Sequence, residues 1–173
     1  MKKILSFILA SVILMTLLCA CDDGAYDIPE DVGTSQKQLV FTSSDIRGGR
    51  VSSGDFSDAS VIMLNFWDPQ SMPSVEEMPV LERLYGELKD SGLVVIGVYS
   101  DEARDEDIMN VIEGLGITYP VVFATNDLKD YRTDYYPSTS FFTGKGRPLT
   151  EVPYIGYRDY DTWLEIINGF MGE

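Results

Sequence analysis

The apolar positions follow two different rhythms along the chain. Near-continuous runs at Val61-Ile62-Met63-Leu64-Asn65-Phe66 and Leu93-Val94-Val95-Ile96-Gly97-Val98 read as strands covered on both faces. Elsewhere the apolar residues recur three and four positions apart. Met78, Leu81, Leu84, Tyr85 and Leu88 form one such stripe, Ile108, Val111, Ile112 and Leu115 a second, and Trp163, Ile166, Ile167 and Phe170 a third. Each predicts one face of an amphipathic helix. The first helix should begin near Ser71 and end at Gly92, and the second should end at Gly116. Pro120-Val121-Val122-Phe123 is a short strand candidate, and Gly48-Gly49 between Ile46 and Val51 predicts a hairpin. Ser140-Phe141-Phe142 and Val152-Pro153-Tyr154-Ile155 flank a Gly144-Lys145-Gly146 turn and predict a terminal hairpin. Strand, helix, strand, helix, hairpin and helix together predict an α/β domain with a mixed central β-sheet flanked by helices.

The first residues break this pattern. Lys2 and Lys3 precede an apolar run from Ile4 to Ala20, interrupted only by Ser6, Ser11 and Thr16. A basic start, an apolar middle and small residues at the end describe a secretory signal peptide over residues 1–20. A retained membrane helix is the competing reading, since the run is near the lower length limit for spanning. Leu18-Cys19-Ala20-Cys21 decides between them, because it resembles the bacterial lipobox, with Cys21 as the lipidated first residue of the mature chain. Residues 21–38 are acidic, rich in small residues and without apolar periodicity, as a flexible tether would be. The domain proper is then expected over 39–173. This arrangement predicts a bacterial cell-envelope protein held to a membrane by lipid on Cys21, facing the periplasm or the extracellular side.

Composition narrows the chemistry. The 28 acidic and 13 basic residues give a net charge of -15, which repels phosphates and excludes a nucleic-acid partner. Removing Lys2 and Lys3 leaves 11 basic residues and a net charge of 11 - 28 = -17, so acyl chains rather than charge must hold the protein on anionic lipid. There is no histidine, which excludes Ser-His-Asp and Cys-His catalysis and removes the commonest zinc ligand. The only cysteines are Cys19 and Cys21, so from Asp22 onward no disulfide, thiolate nucleophile or cysteine metal site can form. The acidic clusters at Asp101-Glu102 and Asp105-Glu106-Asp107 lack the ligand spacing and central glycine of a calcium-binding loop. No metal or cofactor is expected.

One segment carries a family resemblance. Asn65-Phe66-Trp67-Asp68-Pro69-Gln70-Ser71-Met72-Pro73-Ser74-Val75-Glu76-Glu77-Met78-Pro79 resembles the active-site stretch of the TlpA/ResA-type thioredoxin-like proteins of the AhpC/TSA-redoxin group, N-F-W-A-x-W-C-x-P-C-x-x-E-M-P. Asn65, Phe66, Trp67, Pro73, Glu77, Met78 and Pro79 match in place. Tyr136-Pro137-Ser138-Thr139 resembles the family's cis-proline segment, and Gly156 the glycine before its last helix. The resemblance spans about Leu39 to the C-terminus and implies a thioredoxin fold.

The departures fall on the reacting atoms. Ser71 and Ser74 stand at the two cysteine positions, with Met72 and Pro73 between them, and Gln70 replaces the usual tryptophan. Thiol-disulfide exchange needs an attacking thiolate and a resolving thiol, and a serine hydroxyl supplies neither. The simplest role left to Ser71 is the helix N-cap, which typically contributes about 1 kcal/mol. No catalytic residue is therefore assigned. The resemblance instead implies a peptide-binding groove lined by Trp67, Ser71, Met72, Tyr136 and Pro137, and with it a protein or peptide partner. The alternatives are an oxidoreductase by family membership, or an envelope scaffold in which the groove is a relic.

Overall fold

The computed structural model describes residues 37–99 and 104–172, all within one compact unit. The expected signal peptide, the expected lipidation site Cys21, most of the expected tether and the Asp101-Glu102 pair lie outside the described residues. Lys37 pairs with Asp130, and Leu39 is buried, its amide donating to Gly146 O at 2.8 Å.

Among the described residues seven strands form two sheets. β1 (Thr42–Ser44) and β2 (Arg50–Ser52) make the hairpin expected around Gly48-Gly49. Both glycines sit at positive φ, which other residues rarely adopt. The central sheet has the order β5-β4-β3-β6-β7, built from β3 (Val61–Trp67), β4 (Leu93–Tyr99), β5 (Val121–Phe123), β6 (Ser138–Phe142) and β7 (Tyr154–Ile155). β3, β4 and β5 run parallel, while β6 pairs antiparallel with β3 and β7 antiparallel with β6. The sheet is mixed, as its apolar rhythm predicts.

The continuous run in β3 has a direct cause. Val61, Met63 and Trp67 enter one core, and Ile62, Leu64 and Phe66 enter another on the opposite face. Side chains alternate across a strand, so two covered faces require apolar residues at consecutive positions. The first core is closed by α1 (Met72–Leu88), α2 (Asp105–Gly114) and α4 (Tyr160–Met171). The second is closed by Leu39, Phe41 and the short α3 (Asn126–Lys129), which contributes Leu128. Among the described residues no helix is long and apolar enough to cross a membrane.

Two elements differ from expectation. The terminal hairpin is shorter: the Gly144–Gly146 turn closes through Thr143 N to Arg147 O at 2.9 Å, but regular pairing resumes only at Tyr154. Pro148 and Pro153 have no N–H to donate, so the returning segment cannot run as a continuous ladder. α3 was not anticipated, because four residues are too few to display a helical period.

Candidate functional site around the cis-proline

The site lies where the C-terminal end of β3 meets the start of α1. Asp68 turns the chain: its carboxylate accepts the Gln70 amide at 2.8 Å, and its carbonyl accepts the Ser71 amide at 3.0 Å. α1 then starts at Met72 with Pro73 in its first turn, where a missing N–H costs nothing. Ser71 occupies the N-cap position with extended backbone (φ -87°, ψ 104°), yet its hydroxyl makes no cap. It donates instead to Tyr136 O at 3.2 Å. The expected capping bond is thus replaced by a tie from the helix start to the neighbouring loop.

That loop contains the Tyr136-Pro137 peptide bond, which is cis. Gly156, at positive φ, donates its amide to Pro137 O at 2.8 Å. Ser71 and Gly156 therefore bond to the carbonyls on either side of Pro137. Around them the exposed apolar side chains are Met72 (71% exposed), Tyr135 (66%), Ile155 (51%) and Tyr157 (47%). The Tyr136 amide makes no hydrogen bond among the described residues.

Of the residues expected to line the groove, Ser71, Met72 and Tyr136 are accessible, while Pro137 is buried beneath them. Trp67 requires correction. It is fully buried, and its indole packs beside Gly97 and Tyr119 because position 67 of β3 faces the helix-covered core. It supports the site from below and does not line it. Pro73 is exposed, and Ser74 is buried with a hydroxyl that has no partner among the described residues.

The feature that sequence reasoning missed is Glu77, one turn below Ser74 and fully buried. Its Oε2 accepts from Asn65 Nδ2 at 3.0 Å. Its Oε1 accepts the Arg158 amide at 2.8 Å and Trp163 Nε1 at 3.1 Å. One carboxyl thus joins β3, α1, the β7–α4 connection and α4. The sequence held a signal for it: Glu77 falls on the same face as Ser74, Leu81 and Leu84, and a charge in an apolar stripe needs partners. Arg158 then holds the rim, donating to Ile155 O (3.2 Å) and Gly156 O (3.0 Å) while its guanidinium lies over Tyr154 and Trp163.

Burial pushes the Glu77 carboxyl up to about 7, against the opposing pull of the Arg158 amide, Trp163 and Asn65. The unfolded chain releases this proton near the ordinary 4.5, whereas the fold retains it to about 7. Between those values the folded state binds more protons, so stability falls as pH rises and then levels off. The expected loss is roughly 3 kcal/mol across that window, at 1.36 kcal/mol per pKa unit. Urea denaturation at a series of pH values should show this slope in the wild type and its absence in Glu77→Gln.

Comparison with known proteins places this arrangement. Residues 34–134 match the AhpC/TSA family. The chain belongs to that family. Within AhpC/TSA it is a TlpA/ResA-like, thioredoxin-like chain related to the thiol-disulfide oxidoreductases. The thiol-disulfide oxidoreductase ResA of Bacillus thuringiensis subsp. konkukian is 25% identical, over 88% of this chain and 90% of that protein. DipZ of Mycobacterium tuberculosis is 29% identical over 90% of this chain, but over only 23% of its own length. A thiol:disulfide interchange protein of the thioredoxin family from Chlorobium tepidum superposes with a TM-score of 0.70 at 18% identity, covering 78% of this chain and 95% of that one. A thiol:disulfide interchange protein from a Bacteroides species gives 0.63 at 24% identity, covering 78% and 87%. The AhpC/TSA chain therefore has the thioredoxin fold, with serines where its motif resemblance expects cysteines.

Proposed function

We propose that the protein is a redox-inactive, lipid-anchored member of its family that binds an extended polypeptide segment over the cis-proline surface. The observation that carries this reading is the pairing of an exposed apolar rim with a thiol-free domain. Met72, Tyr135, Ile155 and Tyr157 remain exposed around Tyr136-Pro137, while no cysteine follows Cys21. An extended peptide can pair with the Tyr136 amide, which has no partner among the described residues, and lay alternate side chains onto that rim. A net charge of -15 favours a neutral or basic partner over an acidic one. Lipid on Cys21 would hold the domain at the cell envelope, facing the periplasm or the extracellular side, with residues 21–38 as the tether.

The test is site-specific photo-crosslinking from Met72 and Tyr135 in native membranes, with mapping of the captured peptide. A neutral or basic extended segment should be recovered from both positions, and its recovery from Tyr135 should be lost in the Tyr136→Ala, Met72→Asp variant. Equal recovery by wild type and variant overturns the docking surface.

One observation favours a second reading, that of an oxidoreductase: the curated relatives are named thiol-disulfide oxidoreductases. Insulin reduction by the purified chain separates the two. The expected rate equals that of dithiol in buffer, and turnover above it would establish the enzyme.

A further inference from the structure

Three side chains beneath the rim can exchange their hydrogen-bonding roles together. Asn65 Nδ2 donates both to Glu77 Oε2 and to Thr139 Oγ1, each at 3.0 Å. All three residues are buried, with no exposure above 1%. In this arrangement the carboxyl group only accepts, and Thr139 accepts as well. If Glu77 takes a proton on Oε2, a half-turn of the Asn65 amide presents Oδ1 to both neighbours. The new Oε2–H then donates to it, and the Thr139 hydroxyl, which can donate or accept, turns to donate. After the half-turn Asn65 Oδ1 accepts from both neighbours, while its amino group gives up the two acceptors it had.

The two states differ in their grip on the rim. Charge-assisted hydrogen bonds are roughly twice as strong as neutral ones. Ionised Glu77 holds the Arg158 amide and the Trp163 indole through the same oxygen. Arg158 in turn holds the Ile155 and Gly156 carbonyls, and Gly156 binds Pro137. Protonation weakens the first link of that chain.

We infer that Asn65, Glu77 and Thr139 form a proton switch that sets how firmly the Ile155–Arg158 rim is held beside the cis-proline. Its bearing on partner binding rests on the docking surface proposed above; the switch itself does not. The charged and titratable groups that face Glu77 are few. From the β7–α4 connection comes the Arg158 guanidinium, which favours the ionised form. From the segment before β5 comes the buried Tyr119 phenol, itself raised by burial and by the Glu82 and Glu77 carboxyls. β3, β6 and α4 present the neutral Asn65, Thr139 and Trp163. Burial and these neighbours place the midpoint at about 7, within the range where ordinary pH changes act.

The experiment is an NMR titration of the isotopically labelled full chain between about pH 5 and 9, with no partner present. The Arg158 and Gly156 amides and the Trp163 indole N–H should shift together, with one midpoint near 7. Amide exchange at Arg158 and Gly156, corrected for its intrinsic pH dependence, should be about fivefold faster in the protonated state. In Glu77→Gln all three signals should lose that titration. Should this variant fail to fold, the Glu77 carboxyl carbon of the wild type reports the midpoint directly.

A Glu77 carboxyl that titrates while Gly156 and Arg158 stay fixed would overturn the switch, and so would rim signals that titrate unchanged in Glu77→Gln. Either result leaves the crosslinking test of the docking surface untouched. A moving rim with no crosslinked peptide would instead overturn docking and leave the switch standing.

Discussion

Replacing Trp163 with alanine is expected to remove roughly 3–5 kcal/mol of stability, read as a large fall in the urea midpoint at unchanged slope. Trp163 is completely buried and is among the largest side chains in the core. Its ring meets Tyr154 edge-on at 5.7 Å and Phe141 at 5.8 Å, contacts that add to simple area burial. Phe141 continues the cluster to Phe170 at 5.0 Å, so the cavity left by alanine would open among aromatic rings that cannot readily collapse. The indole N–H is also one of three donors on the buried Glu77 carboxyl. Trp163→Phe separates the two contributions. It keeps most of the ring and removes only the donor, and should cost about 1–3 kcal/mol, more above pH 7 where the carboxyl is ionised. A domain of this size has about 5–15 kcal/mol in total, so the alanine change removes a large share of it.

The same residue shows what the amino-acid sequence discloses and what it withholds. Trp163 belongs to a stripe with Ile166, Ile167 and Phe170, and that spacing alone marks the core face of the last helix. Its hydrogen bond to Glu77 joins residues 86 positions apart, which no local pattern contains. The unbroken run of β3 likewise disclosed a strand buried on both faces, because alternation has no place for a polar residue there. Asn65 is the exception, and it is polar because it faces Glu77 and Thr139. Trp67 sits in a motif associated with an active site, and only three-dimensional packing shows it pointing into the core. Tyr157 and Arg158 were passed over for the opposite reason. They lie in a short connection without periodicity, and their role comes from the bond of Gly156 to Pro137. Ser71 sat where a cap was expected, but its hydroxyl donates to Tyr136 O and accepts from no helix amide.

Converting Ser71 and Ser74 to cysteine should give the largest functional change available in this chain, from no disulfide chemistry to a reversible disulfide. The two positions are three residues apart at the start of α1, on one side of the helix. Such spacing suits a disulfide, which needs Cα atoms about 4.4–6.8 Å apart. A thiol at the helix N-terminus is ionised more easily, with pKa values of roughly 3.5–7.5 in such sites. The double variant, with Cys19 and Cys21 replaced by serine, should therefore oxidise to an internal disulfide and reduce insulin above the buffer rate. The parent should do neither.

The buried half of the pair makes a sharper prediction. The Ser74 hydroxyl is unpartnered among the described residues, and an unsatisfied buried hydroxyl costs about 1–3 kcal/mol. A thiol is a weaker hydrogen-bonding group that behaves as a small hydrophobe when buried. Ser74→Cys alone should thus raise stability by about 1 kcal/mol, measured by urea denaturation under reducing conditions. Ser71→Cys should not, because it gives up the bond to Tyr136 O. Destabilisation by Ser74→Cys would mean that the surroundings of this position have been refitted around oxygen. Stabilisation would mean that this buried position accommodates sulfur better than an unpartnered hydroxyl.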